Sequence, residues 1–155
     1  MADPLGLKAV AVAETFLGQK EATGHNDGKF VNMVQDFVGK GLHGEPWCAC
    51  FASYCIKLAA TILGLGPSIP FMPRSASSSQ IYSWAKHHGK LLVTPIAGCI
   101  GLVKGDPAHV GKTHHHTFLV RSVHEDLVSS IDGNSHDQVA HSSHTIHDCD
   151  WVEIC

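Results

Sequence analysis

A cysteine stands where a long helix is predicted to begin. The segment GEPWCACF places Cys48 directly after Pro46 and Trp47. Proline is favoured in the first turn of a helix, because it has no N–H group to leave unpaired, so we expect Cys48 in that turn. Free backbone N–H groups and the positive end of the helix dipole stabilise a thiolate there. The segment therefore predicts a cysteine nucleophile.

Two further cysteines on the predicted helix, Cys50 and Cys55, are interpreted as buried thiols. Cys50 lies about 200° around the helix from Cys48, so the two side chains cannot face one cleft. Cys55 shares the face of Cys48 but lies two turns from the free N–H groups. The N-terminal sequence lacks the basic start of a secretory signal, which predicts a reducing compartment. We therefore expect free thiols throughout: Cys48, Cys50, Cys55, Cys99, Cys149 and Cys155.

A nucleophilic thiol needs a base, and the base needs a partner that orients it. His116 is the candidate base because it opens the apolar run TFLV, and His114 or His115 would replace it only if the strand register slipped. Otherwise those two histidines are expected in an exposed loop. The run LVSSIDGN ends in Asp132 and Asn134, which project to one face of an extended chain. Either side chain could orient the imidazole.

The elements that position these residues follow from a change in hydrophobic period. Apolar residues recur at helical spacing in the first 90 residues, and short β-branched runs separated by turn residues follow. The predicted helices cover residues 5–18, 30–38, 47–63 and 81–88. The predicted strands cover residues 97–103, 117–123, 127–131, 138–144 and 151–154. Helices first and strands later indicate one α+β domain over residues 1–155, with an antiparallel sheet.

Composition excludes several classes of function. Only 16% of the residues are charged and the formal net charge is -3 at pH 7, which argues against nucleic acid as a partner. The longest apolar stretch, around residues 58–65, is far shorter than the roughly 20 residues of a membrane span. We expect a monomer without a membrane span and without a nucleic-acid partner.

These motifs together resemble CHAP-type peptidoglycan hydrolases, which are relatives of NlpC-type and papain-like cysteine peptidases. PWCACF is similar to the family signature around the cysteine, and PIAGCIGLVKG, HTFLV and IDGNS are similar to three strand motifs of the family. The likeness runs from residue 14 to residue 154. It implies a papain-like fold in which N-terminal helices pack on a central antiparallel sheet. It also implies Cys48 as nucleophile, His116 as base, and Asp132 with Asn134 as polar partners.

The resemblance implies cleavage of an amide bond in the stem peptide of peptidoglycan, by an N-acetylmuramoyl-L-alanine amidase or an endopeptidase. Such a cell-wall lytic enzyme would be a phage endolysin that acts with a holin, or an antibacterial effector with a cognate immunity protein. Without a signal peptide, it would be made in the bacterial cytoplasm and would act at the cell wall or periplasm after release or delivery.

The residues around the expected cleft add further expectations. Trp47 and Trp84 are candidate substrate-binding walls, although core packing is the commoner role of tryptophan. Where the family has a small residue after the histidine, this chain has Phe118, which would narrow the cleft. No cofactor is expected, because Glu45 is the one acidic residue in the loop before Cys48, which is too few oxygen ligands for calcium.

Two alternatives stay open. The pattern H-x2-H-x2-H-x-C could make this chain a metal-binding module, since imidazole and thiolate suit zinc. Strand alternation places His144 on the opposite face from the other three residues, which weakens a single site. The four residues are His141, His144, His147 and Cys149. The second alternative keeps the fold but makes the domain a catalytically inactive wall-binding module.

Overall fold

A computed structural model describes residues 3–66, 71–105 and 112–155. Within these residues, four helices are α1 (Pro4–Glu14), α2 (Lys29–Val38), α3 (Cys48–Ile62) and α4 (Ser78–His87). Six strands are β1 (Leu91–Leu92), β2 (Ile100–Lys104), β3 (His114–His124), β4 (Leu127–Ser135), β5 (Gln138–Thr145) and β6 (Cys149–Val152). The strands form one antiparallel sheet in the order β1-β6-β2-β3-β4-β5. The predicted α+β class is confirmed.

Helix α1 begins as the sequence predicts but ends a turn earlier. The Asp3 side chain accepts a hydrogen bond from the Leu5 N–H, and Pro4 occupies the first turn. The helix ends at Glu14 rather than near Gly18, because the next three N–H groups bond to carbonyls three residues back instead of four. Such bonds tighten the last turn of a helix and stop its propagation. The chain then turns at Gly18, where φ is +87°.

Helix α3 is the centre of the main core. It packs against α1, α2 and the strands β3 and β4, and ten of its residues are buried. The contact with β4 is close, because a Cβ atom at Gly133 would lie 2.6 Å from the Cβ of Phe51. Helix α1 approaches Gly98 backbone to backbone, and a Cβ atom at Gly6 would overlap the carbonyl of Gly98. These glycines let the helices approach the sheet, which sets the position of the α3 N-terminus.

A second apolar cluster is separate from this core. It consists of six buried residues, five in the strands of the sheet and one directly before β2: Cys99, Phe118, Val120, Val128, Cys149 and Trp151. Gly101 on β2 pairs with Phe118 on β3, and a Cβ atom at Gly101 would overlap the phenyl ring. The aromatic ring therefore occupies the space that a side chain at residue 101 would need.

The sequence predicted neither strand β1 nor a short 3₁₀ helix at Ile146–Asp148. Strand β1 has only two residues, Leu91 and Leu92, and it pairs with β6 at the edge of the sheet. A run this short carries no readable alternation of apolar and polar residues. No helix in the described part of the chain is long and apolar enough to cross a bilayer.

Candidate active site

Cys48 is the first residue of α3, as the sequence predicts. Its side chain lies at the helix N-terminus and the residue is 7% exposed. The sulfur accepts backbone hydrogen bonds from Ala49 and from Thr117 on β3. The first N–H groups of a helix have no intrahelical partner, so they are free to stabilise negative charge at this position.

His116 on β3 links Cys48 to a carboxylate. A hydrogen bond between its ring and the Cys48 side chain contributes to the shifted pKa values of both groups. Its Nε2 lies 2.7 Å from Oδ2 of Asp132, on the neighbouring strand β4. Because Nε2 is occupied by Asp132, Nδ1 is the ring nitrogen left for the sulfur. The three side chains thus form one hydrogen-bonded chain from thiol to carboxylate.

Asp132 is almost completely buried, with a side chain that is 1% exposed. Three donors hold its carboxylate in place. His116 donates to Oδ2, Ser130 Oγ donates to Oδ1, and His144 Nε2 lies 3.0 Å from the same Oδ2 that His116 contacts. A buried carboxylate with several donors remains ionised and is held in one orientation.

The charges of this chain of residues stabilise one another. Burial alone would raise the pKa of the Cys48 thiol, but the hydrogen bond and positive charge of His116, with the two backbone donors, lower it below its usual value. Burial alone would lower the pKa of His116, but its bonds to Asp132 and Cys48 raise it to about 10. The pKa of Asp132 is lowered despite burial, because His116 and His144 donate to it. Both shifts favour a Cys48 thiolate beside a His116 imidazolium.

The other two thiols on α3 have raised pKa values. Burial raises the pKa of Cys50 to about 12, and the neighbouring Cys48 charge adds to this effect. Burial also raises the pKa of Cys55. All six cysteines are free thiols. Of the three cysteines on this helix, Cys48 therefore has the thiol that is ionised most easily.

Asn134 lies apart from the imidazole. The register of β4 against β5 shifts between Asp132 and Ser135, and Asn134 has a φ of +59°. The alternation of an extended strand is therefore interrupted directly after Asp132. The Asn134 side chain instead donates from Nδ2 to Oδ1 of Asn26, at 3.3 Å. Of the two predicted polar partners, the structure brings Asp132 against His116.

A cavity of about 490 Å³ opens beside Cys48. Its walls come from the loop before α3, the start of α4 and the start of β3. The lining residues are Gly41, Leu42, Glu45, Pro46, Cys48, Ala76, Ser77, Ser78, Ser79, Lys112, His114 and His115. The cavity thus combines hydroxyl groups with one acidic and one basic side chain around the sulfur.

The position of His114 differs from the one that the sequence predicts. It was expected in an exposed loop, but it is the first residue of β3 and is 5% exposed. Its Nε2 lies 2.7 Å from Oδ2 of Asp150, and its ring packs on Tyr82 with centroids 4.4 Å apart. The strand begins earlier than predicted because this hydrogen bond and ring contact compensate for burying the imidazole. His115, the next residue, is exposed as expected.

The two tryptophans that were predicted as cleft walls lie outside the cavity beside Cys48. Trp47 is fully buried, packs edge-on against Phe51 and directs its indole N–H toward Glu21. Trp84 is half-buried on α4, where its ring stacks on His88 at 5.3 Å. Neither indole lines the described cavity. Trp47 thus has the core-packing role that is common for tryptophan, and substrate binding by Trp84 stays a prediction.

Phe118 was expected to narrow the cleft, but its ring turns away into the second apolar cluster. It is 1% exposed and stacks face to face on His144, with centroids 3.9 Å apart and planes inclined by 5°. Phe118 therefore supports a histidine that contacts Asp132, and it leaves the cavity open.

The histidines and the cysteine of the predicted metal-binding pattern do not come together at one site. His141 Nε2 lies 2.8 Å from Oε2 of Glu14, whereas His144 contacts Asp132. Cys149 is buried in the second apolar cluster. Sequence reasoning placed His144 on the opposite strand face from its neighbours, but did not connect that face with Asp132. The antiparallel pairing of β4 with β5 places the even-numbered residues of both strands on one face of the sheet. The even numbers of Asp132 and His144 could therefore have indicated that the two side chains share that face.

Comparisons with known proteins show a likeness of fold. No protein-family model matches the chain, and no curated protein matches it. The chain is similar to the crystal structure of Ly7917, with a TM-score of 0.54 and 13% identity over 96% of this chain and 62% of that chain. A second structure, described as Ly7917 with the hydrolyzing product of MDP, gives a TM-score of 0.47 and 15% identity over 97% and 62%. This chain therefore spans less than two thirds of Ly7917, and at such identity the first likeness shows the fold alone.

Proposed function

We propose that this protein is a peptidoglycan hydrolase that cleaves an amide bond of the stem peptide with Cys48 as nucleophile. The observation that carries the proposal is the hydrogen-bonded chain from Cys48 through His116 to Asp132, which begins at a helix N-terminus beside a cavity. A thiol, a base and an orienting carboxylate in this order are the parts that cysteine acyl transfer requires.

The reaction follows from the state of these groups. The Cys48 thiolate attacks the carbonyl carbon of the amide, and the carbonyl oxygen takes up the negative charge. The backbone N–H at Cys48 stabilises that oxyanion. His116 then donates a proton to the leaving nitrogen, the C–N bond breaks, and an acyl-enzyme and a free amine result. A water molecule gives its proton to His116 and attacks the thioester, which releases the acid and restores the Cys48 thiolate beside the His116 imidazolium.

Asp132 acts as the positioning residue in this scheme. Its bond to Nε2 keeps Nδ1 of His116 directed at the sulfur, and its buried negative charge stabilises the imidazolium form. Because Ser130 and His144 hold the carboxylate, it changes little in position as the proton moves. The orientation of the base is therefore set by two strands of the sheet and not by a loop.

Peptidoglycan as substrate is supported by three lines of argument. The motifs around Cys48, His116 and Asp132 resemble those of CHAP-type hydrolases. Ly7917, which shares the fold, has a structure described with the hydrolyzing product of MDP, a peptidoglycan fragment. The cavity carries Glu45 and Lys112, which suit a peptide that has both amino and carboxylate groups.

We further propose that the protein acts at the bacterial cell wall or periplasm, where this substrate lies.

Digestion of purified peptidoglycan tests the proposal. The protein is incubated with sacculi, and the released fragments are identified by mass spectrometry. Glycan free of peptide identifies an amidase, and shortened stem peptides identify an endopeptidase. The matched control is the Cys48→Ala variant, which should release nothing. If the native protein releases no fragments, or if the variant releases as much as the native protein, the proposed function is wrong.

A further inference from the structure

A second histidine shares the carboxylate oxygen that orients His116. Nε2 of His144, on β5, lies 3.0 Å from Oδ2 of Asp132, and Nε2 of His116 lies 2.7 Å from the same atom. The proposed reaction uses His116 and Asp132 but needs no second imidazole there. The three ligand atoms all lie within 4.8 Å of one another. His144 therefore helps to hold the carboxylate, but it takes no part in the proton transfers of the hydrolase scheme.

Two imidazoles and one carboxylate are a donor set that zinc accepts, with a fourth position left for water. Calcium and magnesium prefer sites built from oxygen atoms alone. Zinc takes nitrogen ligands at about 2.0–2.1 Å and carboxylate oxygen at about 2.0–2.2 Å, so tetrahedral ligands are about 3.3 Å apart. To admit the ion, the two nitrogen–oxygen distances would need to lengthen by about half an ångström, and the two nitrogen atoms, which lie within 4.8 Å of each other, would need to be about 3.3 Å apart. The chemistry and the size of the cluster both fit.

We propose that His116, Asp132 and His144 form a binding site for a divalent transition metal such as Zn²⁺, and that the bound metal holds the nucleophile inactive. Each histidine binds through Nε2, which gives up its proton to solvent so that the lone pair can reach the metal. Asp132 binds through a carboxylate oxygen. The site is distinct from the spaced histidines of the β5 sequence pattern, because it takes only His144 from them.

The surroundings of the three residues support this role. Phe118 stacks flat on the His144 ring and fixes its orientation. Ser130 donates to the other oxygen of Asp132, the arrangement in which outer hydrogen bonds orient a metal-binding carboxylate. The side chains of His116 and His144 are 19% and 16% exposed, so an ion can reach the site from solvent. Both rings are therefore held in place and accessible.

The inhibitory effect rests on the proposed function, whereas the metal binding does not. A metal on Nε2 of His116 displaces the hydrogen bond to Asp132. The imidazole is then neutral with its one proton on Nδ1, so it can neither stabilise the Cys48 thiolate as an imidazolium nor act as the acid that protonates the leaving nitrogen. Asp132, bound to the metal, no longer stabilises an imidazolium. Binding of one ion would therefore remove both the base and its orienting partner, while the cavity beside Cys48 stays open.

Zinc binding is measured by competition with a chromophoric chelator, using Zn²⁺ alone as the ligand and the full chain. We expect His144→Gln to weaken the tightest binding event by about tenfold or more, as loss of a ligand should. The matched control is His124→Gln, which removes an exposed histidine at the far end of β3 and should leave that affinity unchanged. If both variants bind zinc as the native protein does, the proposed site is wrong.

Two further measurements separate this site from a metal held by the nucleophile. The Cys48→Ala variant should bind zinc with native affinity. The Co²⁺-loaded protein should show a spectrum of nitrogen and oxygen ligands without a thiolate-to-metal charge-transfer band. Loss of zinc binding in Cys48→Ala, or a clear thiolate band, would place the ion between Cys48 and His116 and overturn the proposal.

Inhibition is tested separately by adding zinc to the peptidoglycan assay. Zinc should stop hydrolysis by the native protein, and an excess of chelator should restore it. Inhibition of His144→Gln should require about tenfold more zinc or more. If the protein binds zinc through His144 but never hydrolyses peptidoglycan, the proposed function fails and the metal site stands. If it hydrolyses peptidoglycan and zinc has no effect, the metal inference fails.

Discussion

Nε2 of His116 and Oδ2 of Asp132 lie 2.7 Å apart across the neighbouring strands β3 and β4. Both residues belong to the backbone ladder of one sheet, so their relative position is set by strand pairing. Cys48 approaches from the other side, at the start of a helix packed on those strands. The geometry of the site therefore depends on the packing of the core. Substitutions of the site residues can change the chemistry while the fold persists.

Replacement of Cys48 by Ala should abolish hydrolysis. The change removes the proposed nucleophile, and we expect the rate to fall by at least about 10³-fold. The measurement is fragment release from peptidoglycan, with circular dichroism to show that the fold persists. Cys50→Ala is the matched control because its thiol is buried in the same helical turn with a raised pKa. Loss of activity in Cys50→Ala alone would contradict the assignment.

Asp132→Asn should lower kcat much more than a change at Asn134. Asparagine can keep a hydrogen bond to His116 but removes the negative charge, so we expect a loss of about 10²–10⁴-fold. Asn134→Gly removes a side chain that contacts Asn26, and glycine adopts its positive φ without strain. This variant should keep kcat within about threefold of the native value. Equal losses in the two variants would show that Asp132 is not the orienting residue.

The pH profile of kcat/KM should have a wide plateau. The pKa of Cys48 is lowered, so the thiolate persists to lower pH than in an ordinary cysteine. The pKa of His116 is raised to about 10, so its proton is lost only near that pH. Activity should therefore fall on the acid side as the thiolate is protonated, and on the alkaline side near pH 10.

Asp132→Asn provides the check on that alkaline limit. The hydrogen bond from His116 to Asp132 is the leading cause that raises the pKa of the imidazole, so its loss should move the alkaline limb to lower pH. The measurement is the profile of both proteins over pH 5 to 11, at substrate concentrations well below KM. An alkaline limb near pH 7 in the native protein would contradict the raised pKa of His116.

Gly6→Ala should destabilise the protein, although alanine is the better helix former by about 1 kcal/mol. The new methyl group would overlap the backbone carbonyl of Gly98, which cannot move without disturbing the sheet. We expect a net loss of about 1–3 kcal/mol in the free energy of unfolding, as for other overpacked sites. Urea denaturation followed by fluorescence measures it.

Gly39→Ala is the control for Gly6→Ala. Gly39 has an extended φ of 177°, and a Cβ atom there would meet only Leu42, at an ordinary contact distance of 4.0 Å. Its unfolding free energy should stay within about 0.5 kcal/mol of the native value. A stable Gly6→Ala variant would show that α1 can move away from Gly98.

The sequence predicted the parts of the fold that have a strong local signal. The helix from Cys48 and the helix that ends before Gly39 were expected almost as observed, because apolar spacing and terminal residues agree. The end of α1 was placed too late, since its apolar spacing continues to Phe16 while the backbone has already changed to shorter hydrogen bonds. Local pattern does not record that change.

The candidate site was predictable only in part. The sequence indicates Cys48, His116 and Asp132 because each lies at the predicted start or end of a helix or strand. The structure brings the three residues together. Asn134 was expected on the same face as Asp132, but a register shift and a positive φ interrupt the alternation there. The part played by His144 depends on pairing between two strands and on the ring of Phe118. Those long-range contacts have no counterpart in the spacing of residues along the chain.

The fit of Phe118 against Gly101 has a consequence for how this protein can vary. The two residues face each other on paired strands, and one has a large ring where the other has no side chain. Relatives of this chain should therefore change the two positions together, so that a small residue at 118 accompanies a larger one at 101. A relative that lost the ring would also lose the stacking surface under His144. Its histidine would then be free to swing away from the buried aspartate.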